Sequence, residues 1–300
     1  MSRSKTLRGV IAAIPTPVNS VGNPDHARFL ALARALLADG CDGLNVLGTT
    51  GEATSFTSEQ RMGVMHAAAK GLPLERLMVG TGAAAVSDAV RLTRYAGELG
   101  FAGALLLPPF YYKNVTDEGV TSYVAAVANA TAETEIPLYL YNFPALSGVA
   151  YSPALVGKLI ARFGERIAGL KDSSGDLAYV REITSISSRL DVFPSSEATL
   201  LEARTGVFAG CISATANLNS ADCARAFITG DVTAHRQAIA IRQLLDALPL
   251  VSGVKFLLSR SRGEPELAAV VAPLAPLSAE QQALLLARLT APIYQCMNIR

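Results

Sequence analysis

Short apolar runs alternate along this chain with longer stretches whose apolar positions recur at helical spacing. The runs at 8–14, 43–48, 75–80, 103–107, 136–142, 167–171, 190–194 and 209–214 read as strands. The stretches 25–39, 58–70, 86–99, 117–132, 152–163, 176–188 and 197–205 read as amphipathic helices between them. Ser58 (with Arg61 three residues on), Ser87-Asp88 and Thr116-Asp117-Glu118 serve as start signals, and Gly40, Gly71 and Gly100 as stops. The strands lack strict alternation. Gly103-Ala104-Leu105-Leu106-Leu107 is wholly apolar, as a strand buried on both faces requires. Eight such strands between helices predict a parallel α/β sheet, and eight is the number that closes into a (β/α)8 TIM barrel. Residues 221–229, 232–247, 252–260 and 278–290 read as helices with no further strands. The expected architecture is one barrel over 1–220 with a helical extension of the same domain over 221–300. A doubly wound open sheet is the alternative, weakened by the lack of a Gly-x-Gly-x-x-Gly turn after the first strand.

Composition narrows the partners. With 300 residues, half of them hydrophobic, the chain can bury a large core. The net charge is +1 and only 17% of residues are charged, with no basic stripe, so nucleic acid and anionic membranes are poor partners. Cys41, Cys211, Cys223 and Cys296 are scattered without metal-ligand or disulfide spacing, which fits a reduced, cytoplasmic protein without a bound metal. Val10 to Ile14 is too short, and too soon broken by Pro15, for a signal peptide, and no apolar run approaches a membrane span.

Chemistry in such a barrel collects at the carboxyl ends of the strands. Read in order, these carry Gly48-Thr49-Thr50-Gly51-Glu52, then Pro108-Pro109-Phe110-Tyr111-Tyr112, then Tyr141-Asn142-Phe143-Pro144. Lys171 follows in Ile167-Ala168-Gly169-Leu170-Lys171-Asp172-Ser173-Ser174, then Ser195-Ser196-Glu197, then the segment 210–217. A lysine in the barrel mouth can attack a carbonyl as the free amine, although with an ordinary pKa of ~10.4 only about one in a thousand is neutral near pH 7. Asp172 beside it would favour the ammonium, so its carboxylate is expected to point away. The Gly-Thr-Thr-Gly turn offers hydroxyls and backbone N–H groups suited to a small carboxylate. His26, His66 and His235 fall in predicted helices, which leaves proton transfer to Tyr, Thr, Lys or a carboxylate. Lys255, in a helical segment of the extension, reads as a snorkelling surface or interface residue.

Three of these motifs, Gly48-Thr49-Thr50-Gly51-Glu52, Tyr141-Asn142-Phe143-Pro144 and Gly169-Leu170-Lys171-Asp172, stand in an order and spacing that resemble the dihydrodipicolinate synthase/N-acetylneuraminate lyase family of pyruvate-dependent class I lyases. The resemblance spans about residues 7 to 290. It implies that Lys171 forms an imine with pyruvate or another 2-oxo acid, without a cofactor, and that Tyr141 relays protons. Thr49 matches the hydroxyl of that relay, and Thr50 with Gly48 the carboxylate site. Tyr111 corresponds to a tyrosine lent to a neighbouring subunit, implying a homo-oligomer, commonly a dimer of dimers (a homotetramer). Glu197, Ser196, Ile212 and Ser213 fall where related lyases bind the rest of their substrate.

The departures bear on the acceptor. Members that make dihydrodipicolinate carry an arginine in the loop after Tyr-Asn-x-Pro, where this chain has Leu146, leaving no obvious partner for a second carboxylate. Pro144-Ala145-Leu146-Ser147-Gly148 and Glu197 resemble the sialic acid lyases, but Ser196 stands where those carry an aspartate. The expected reaction is therefore cleavage or dehydration of a 2-keto-3-deoxy sugar acid, ahead of dihydrodipicolinate synthase or N-acetylneuraminate lyase activity. A non-catalytic barrel that binds a 2-oxo acid is the alternative of another class. A phosphate-handling isomerase is disfavoured by the carboxylate of Glu197 where a phosphate loop would lie.

Overall fold

A computed structural model describes residues 7–289, so Cys296 and both chain ends lie outside the described residues. These residues form eight parallel strands: β1 (Gly9–Ala13), β2 (Gly43–Val46), β3 (Leu77–Gly80), β4 (Gly103–Leu106), β5 (Leu138–Asn142), β6 (Ile167–Asp172), β7 (Asp191–Pro194) and β8 (Gly210–Ser213). β1 to β7 pair in sequence order and β1 also pairs with β8, giving the order β7-β6-β5-β4-β3-β2-β1-β8. At the remaining seam the Ala209 N–H donates to Val192 O across 2.9 Å, so the sheet curls into the expected barrel. The outer helices are α1 (His26–Ala38), α2 (Ser58–Gly71), α3 (Val86–Leu99), α4 (Asp117–Ala130), the one-turn α5 (Pro144–Ser147), α6 (Pro153–Phe163), α7 (Leu177–Ile186) and α8 (Leu200–Arg204). Then come α9 (Ala216–Thr229), α10 (Val232–Leu244), α11 (Leu250–Arg262) and α12 (Ala279–Leu289). No helix among the described residues is long and apolar enough to cross a membrane.

Local signals hold with informative exceptions. Thr116 caps α4 as expected, accepting from Gly119 N. The start of α2 is capped by Thr57 rather than Ser58, because Gln60 completes a reciprocal capping box with Thr57. The start of α3 has no side-chain cap, its preceding residue being Ala85 rather than Ser87-Asp88. The helix α9 starts five residues earlier than its apolar spacing indicates and is kinked at Asn219, so the 220/221 boundary falls within it.

Two apolar cores follow from the side-chain alternation of the strands. One face packs Val10, Ala12, Leu44, Val46, Leu138, Leu140 and Leu170 against the helices. The other fills the barrel with Ile11, Ala13, Met78, Leu105, Tyr139, Tyr141, Phe193 and Ile212. The Tyr139 ring needs bare backbone on both sides. A Cβ on Gly103 would lie 2.6 Å from it and one on Gly169 2.5 Å, so these glycines give it room below the mouth. The extension closes over the mouth: α9 and α10 pack together, and α11 reaches the loop after β2 through Lys255.

Candidate active site

Register decides which side chains face one another in the mouth. β6 pairs with both neighbours so that Lys171 stands opposite Tyr141 on β5 and Phe193 on β7. Gly169, two residues earlier on β6, shares the inward parity of Lys171 and sits opposite Tyr139. Lys171 is 4% exposed, and its Nζ lies 4.3 Å from the centroid of the Tyr141 ring. No carboxylate of the described residues lies within ion-pair distance of that nitrogen. Asp172 turns to the outer face as expected. Its carboxylate accepts from Asn142 Nδ2 at 2.7 Å and from Ser174 Oγ and N at 2.9 and 3.1 Å, while burial pushes its pKa up. Asn142 in turn accepts from Tyr151 N at 3.0 Å, so the asparagine after Tyr141 joins the ends of β5 and β6.

The Tyr141 hydroxyl is 3.2 Å from Thr49 Oγ1 and 3.5 Å from Ser173 Oγ. These three hydroxyls form a chain that includes the tyrosine whose ring lies against the Lys171 amine. Thr49 and Thr50 ride on the turn after β2. Its last residue, Glu52, is held at φ +54, a left-handed conformation that costs a non-glycine residue of the order of 1 kcal/mol. The turn is braced from beneath. Glu52 Oε1 pairs with Lys255 Nζ, its Oε2 accepts from Val271 N at 2.7 Å, Lys255 Nζ donates to Thr16 O at 3.0 Å, and Thr16 Oγ1 donates to Gly51 O at 2.8 Å. Lys255 is thus 1% exposed and ion-paired, against the expectation of a snorkelling surface residue. Its position in a helix gave no sign that a carboxylate from the distant Gly-Thr-Thr-Gly-Glu turn would meet it.

A cavity of about 450 Å³ opens above Lys171. Thr49, Thr50, Tyr141, Ser173 and Ile212 line its floor, Leu146, Phe143, Leu250, Val251 and Leu274 its sides, and Ser195 and Arg242 also face it. A smaller cavity of about 250 Å³ adjoins it past Thr49, Tyr141 and Leu146, and takes in Gly48 and Arg61. Arg61 donates to Gly80 O at 2.9 Å and Gly82 O at 3.1 Å, and burial lowers its pKa to about 10.

The structure thus gathers Lys171, Tyr141, Thr49, Thr50 and Ile212 around one cavity and puts Gly48 at its edge. It does not bring Glu197, Ser196, Ser213 or Tyr111 to the cavity wall. Glu197 is fully buried behind it, its Oε1 accepting from Ser213 Oγ at 2.5 Å and from Thr215 Oγ1. Glu197 opens the 3-10 turn at 197–199, which Ser196 caps by accepting from Ala198 N. Tyr111 is 74% exposed, its ring edge-on to Tyr112 at 5.3 Å. The three histidines keep to helices, and His235 Nε2 lies 3.1 and 3.2 Å from the backbone oxygens of Glu197 and Ala198.

Arg242 is the site residue the sequence reading missed. It lies within a helical stretch predicted correctly, and nothing local signals that α10 folds back over the loop after β7. Ser173 was quoted with its motif but given no role.

The family model for the dihydrodipicolinate synthetase family matches residues 6–291. A relative named as an uncharacterized DapA-like lyase from Chloroflexus aurantiacus is 33% identical, covering 93% of this chain and 94% of its own. Among solved structures, dihydrodipicolinate synthase from Agrobacterium tumefaciens superimposes with a TM-score of 0.87 at 29% identity, covering 94% of this chain and 98% of that one. A prophage protein of the dihydrodipicolinic acid synthase family from E. coli K12, solved in complex with pyruvate, gives 0.84 at 26%, covering 94% and 97%. With that match over nearly its whole length, and with its barrel and buried mouth lysine, the chain belongs to the dihydrodipicolinate synthetase family of class I lyases.

Proposed function

We propose that Lys171 condenses with the carbonyl of pyruvate or a longer 2-oxo acid, losing water to form an imine through which a carbon–carbon or carbon–oxygen bond is made or broken. The observation that carries this reading is the setting of Lys171: buried, without a carboxylate partner among the described residues, and with its nitrogen over the Tyr141 ring. The protonated imine is an electron sink, so a C3 proton can leave to give an enamine that attacks an aldehyde; retro-aldol cleavage runs the same steps backwards. The mechanism needs no cofactor. Tyr141 would shuttle the protons, with Thr49 and Ser173 as its hydroxyl neighbours. Thr50 and the turn amides would hold the substrate carboxylate.

Pyruvate as the ligand is supported by the pyruvate complex of the E. coli family member. We infer a 2-keto-3-deoxy sugar acid as substrate, because Ser195, Thr54 and Ser55 are uncharged polar residues that line the cavity. A cytoplasmic homo-oligomer, a dimer of dimers, fits the exposed Tyr111, free to reach a neighbour. The test is pyruvate release from a set of 2-keto-3-deoxy sugar acids. Wild-type turnover that disappears in Lys171→Ala supports the reading, and turnover retained in that variant overturns it.

A further inference from the structure

Of the charged groups that face the large cavity, Lys171 and Glu52 already have a part: Lys171 carries the proposed chemistry and Glu52 is neutralised by Lys255. Arg242 remains, ion-paired at one corner with the buried carboxylate of Glu197. It stands on α10, on a different wall from Leu146, so its place in the site owes nothing to the loop after β5. Its Nη1 donates to Ser195 O at 2.7 Å and forms an ion pair with Glu197 Oε2 at 3.7 Å. Glu197 is itself fixed by Ser213 and Thr215, so a rigid buried carboxylate steadies one corner of the guanidinium from behind. No hydrogen bond of the described residues occupies Nε or Nη2, and neither atom is sealed from solvent. A planar fork held at one corner, with its other donors open in a substrate cavity, is the arrangement that receives a carboxylate through two parallel bonds.

We propose that Arg242 determines specificity by binding a second anionic group, so that the substrate is a 2-oxo acid whose far end carries a carboxylate. The inference rests on the Schiff-base reading above for which end of the substrate meets Lys171. It answers the lack of an arginine at Leu146: the cation for the far end comes from the extension. Ser195 and the apolar residues Leu250 and Leu274 line the same cavity as Arg242 and Lys171.

The test is calorimetric binding of a matched pair, 2-oxoadipate and 2-oxohexanoate, which differ in the terminal carboxylate. Wild-type protein should bind the diacid roughly ten- to a hundredfold more tightly, the range expected of charge-assisted hydrogen bonds. Arg242→Gln should bring the ratio close to one, and Arg242→Lys should restore part of it. A merely structural role for Arg242 would weaken both ligands alike and leave the ratio standing. Equal wild-type affinities, or a preference that survives in Arg242→Gln, would overturn the proposal. Borohydride reduction of the wild-type protein with pyruvate is run in parallel. A diacid preference without a pyruvate adduct would retire the Schiff-base reading and keep the anion site; an adduct without the preference would do the reverse.

Discussion

Two buried lysines in this molecule look alike in sequence and differ in what surrounds them. Lys171 ends Ile167-Ala168-Gly169-Leu170, and Lys255 follows Ser252-Gly253-Val254; they are 4% and 1% exposed. Lys255 has a carboxylate, Glu52, and a carbonyl, Thr16 O, within reach of its nitrogen. Burial alone would drive its proton off, and Glu52 opposes that, so its pKa is lowered against the pull of its partner. Lys171 has the face of Tyr141, and the nearest acid in sequence, Asp172, is tied to Asn142 and Ser174 on the other side of the strand. A buried amine with a carboxylate is a structural tie; one away from the carboxylates of the described residues is free for the reaction proposed.

The comparison can be broken at either lysine. The largest effect is expected from Lys171→Ala, which should lower kcat by roughly ten-thousandfold or more in a pyruvate-release assay while the fold survives. Glu52→Ala strands the Lys255 ammonium in the interior and should cost about 3–5 kcal/mol in denaturant unfolding, the range for a buried pair that loses one partner. Tyr141→Phe, read by steady-state kinetics, removes the proposed proton carrier while keeping the ring under Lys171 and should reduce kcat by about a hundredfold. Thr49→Val removes one neighbour of that hydroxyl and should cost about tenfold in kcat/KM. An unfolding loss for Lys171→Ala as large as that for Glu52→Ala would erase the distinction between the two lysines.

Much of the barrel was legible because each strand is short, mostly apolar and followed by a helix. The same regularity located Lys171, Tyr141 and Thr49, which lie at strand ends where position in the element determines position in space. What escaped depends on packing between distant segments. Lys255 and Glu52 are 203 residues apart, and the carboxylate that buries the lysine belongs to a turn read only for its threonines. Glu197 was placed after the correct strand, but its carboxylate accepts from Ser213 and Thr215 behind the cavity wall. Arg242 reaches the mouth through the fold of the extension over β7, and no periodicity in α10 encodes that.

The most direct test of the account is reduction with borohydride in the presence of pyruvate, followed by peptide mapping of both lysines. The account predicts a reduced pyruvate adduct on the peptide carrying Lys171 and none on that carrying Lys255. An adduct on Lys255, or none on Lys171 in folded protein that binds pyruvate, would contradict it.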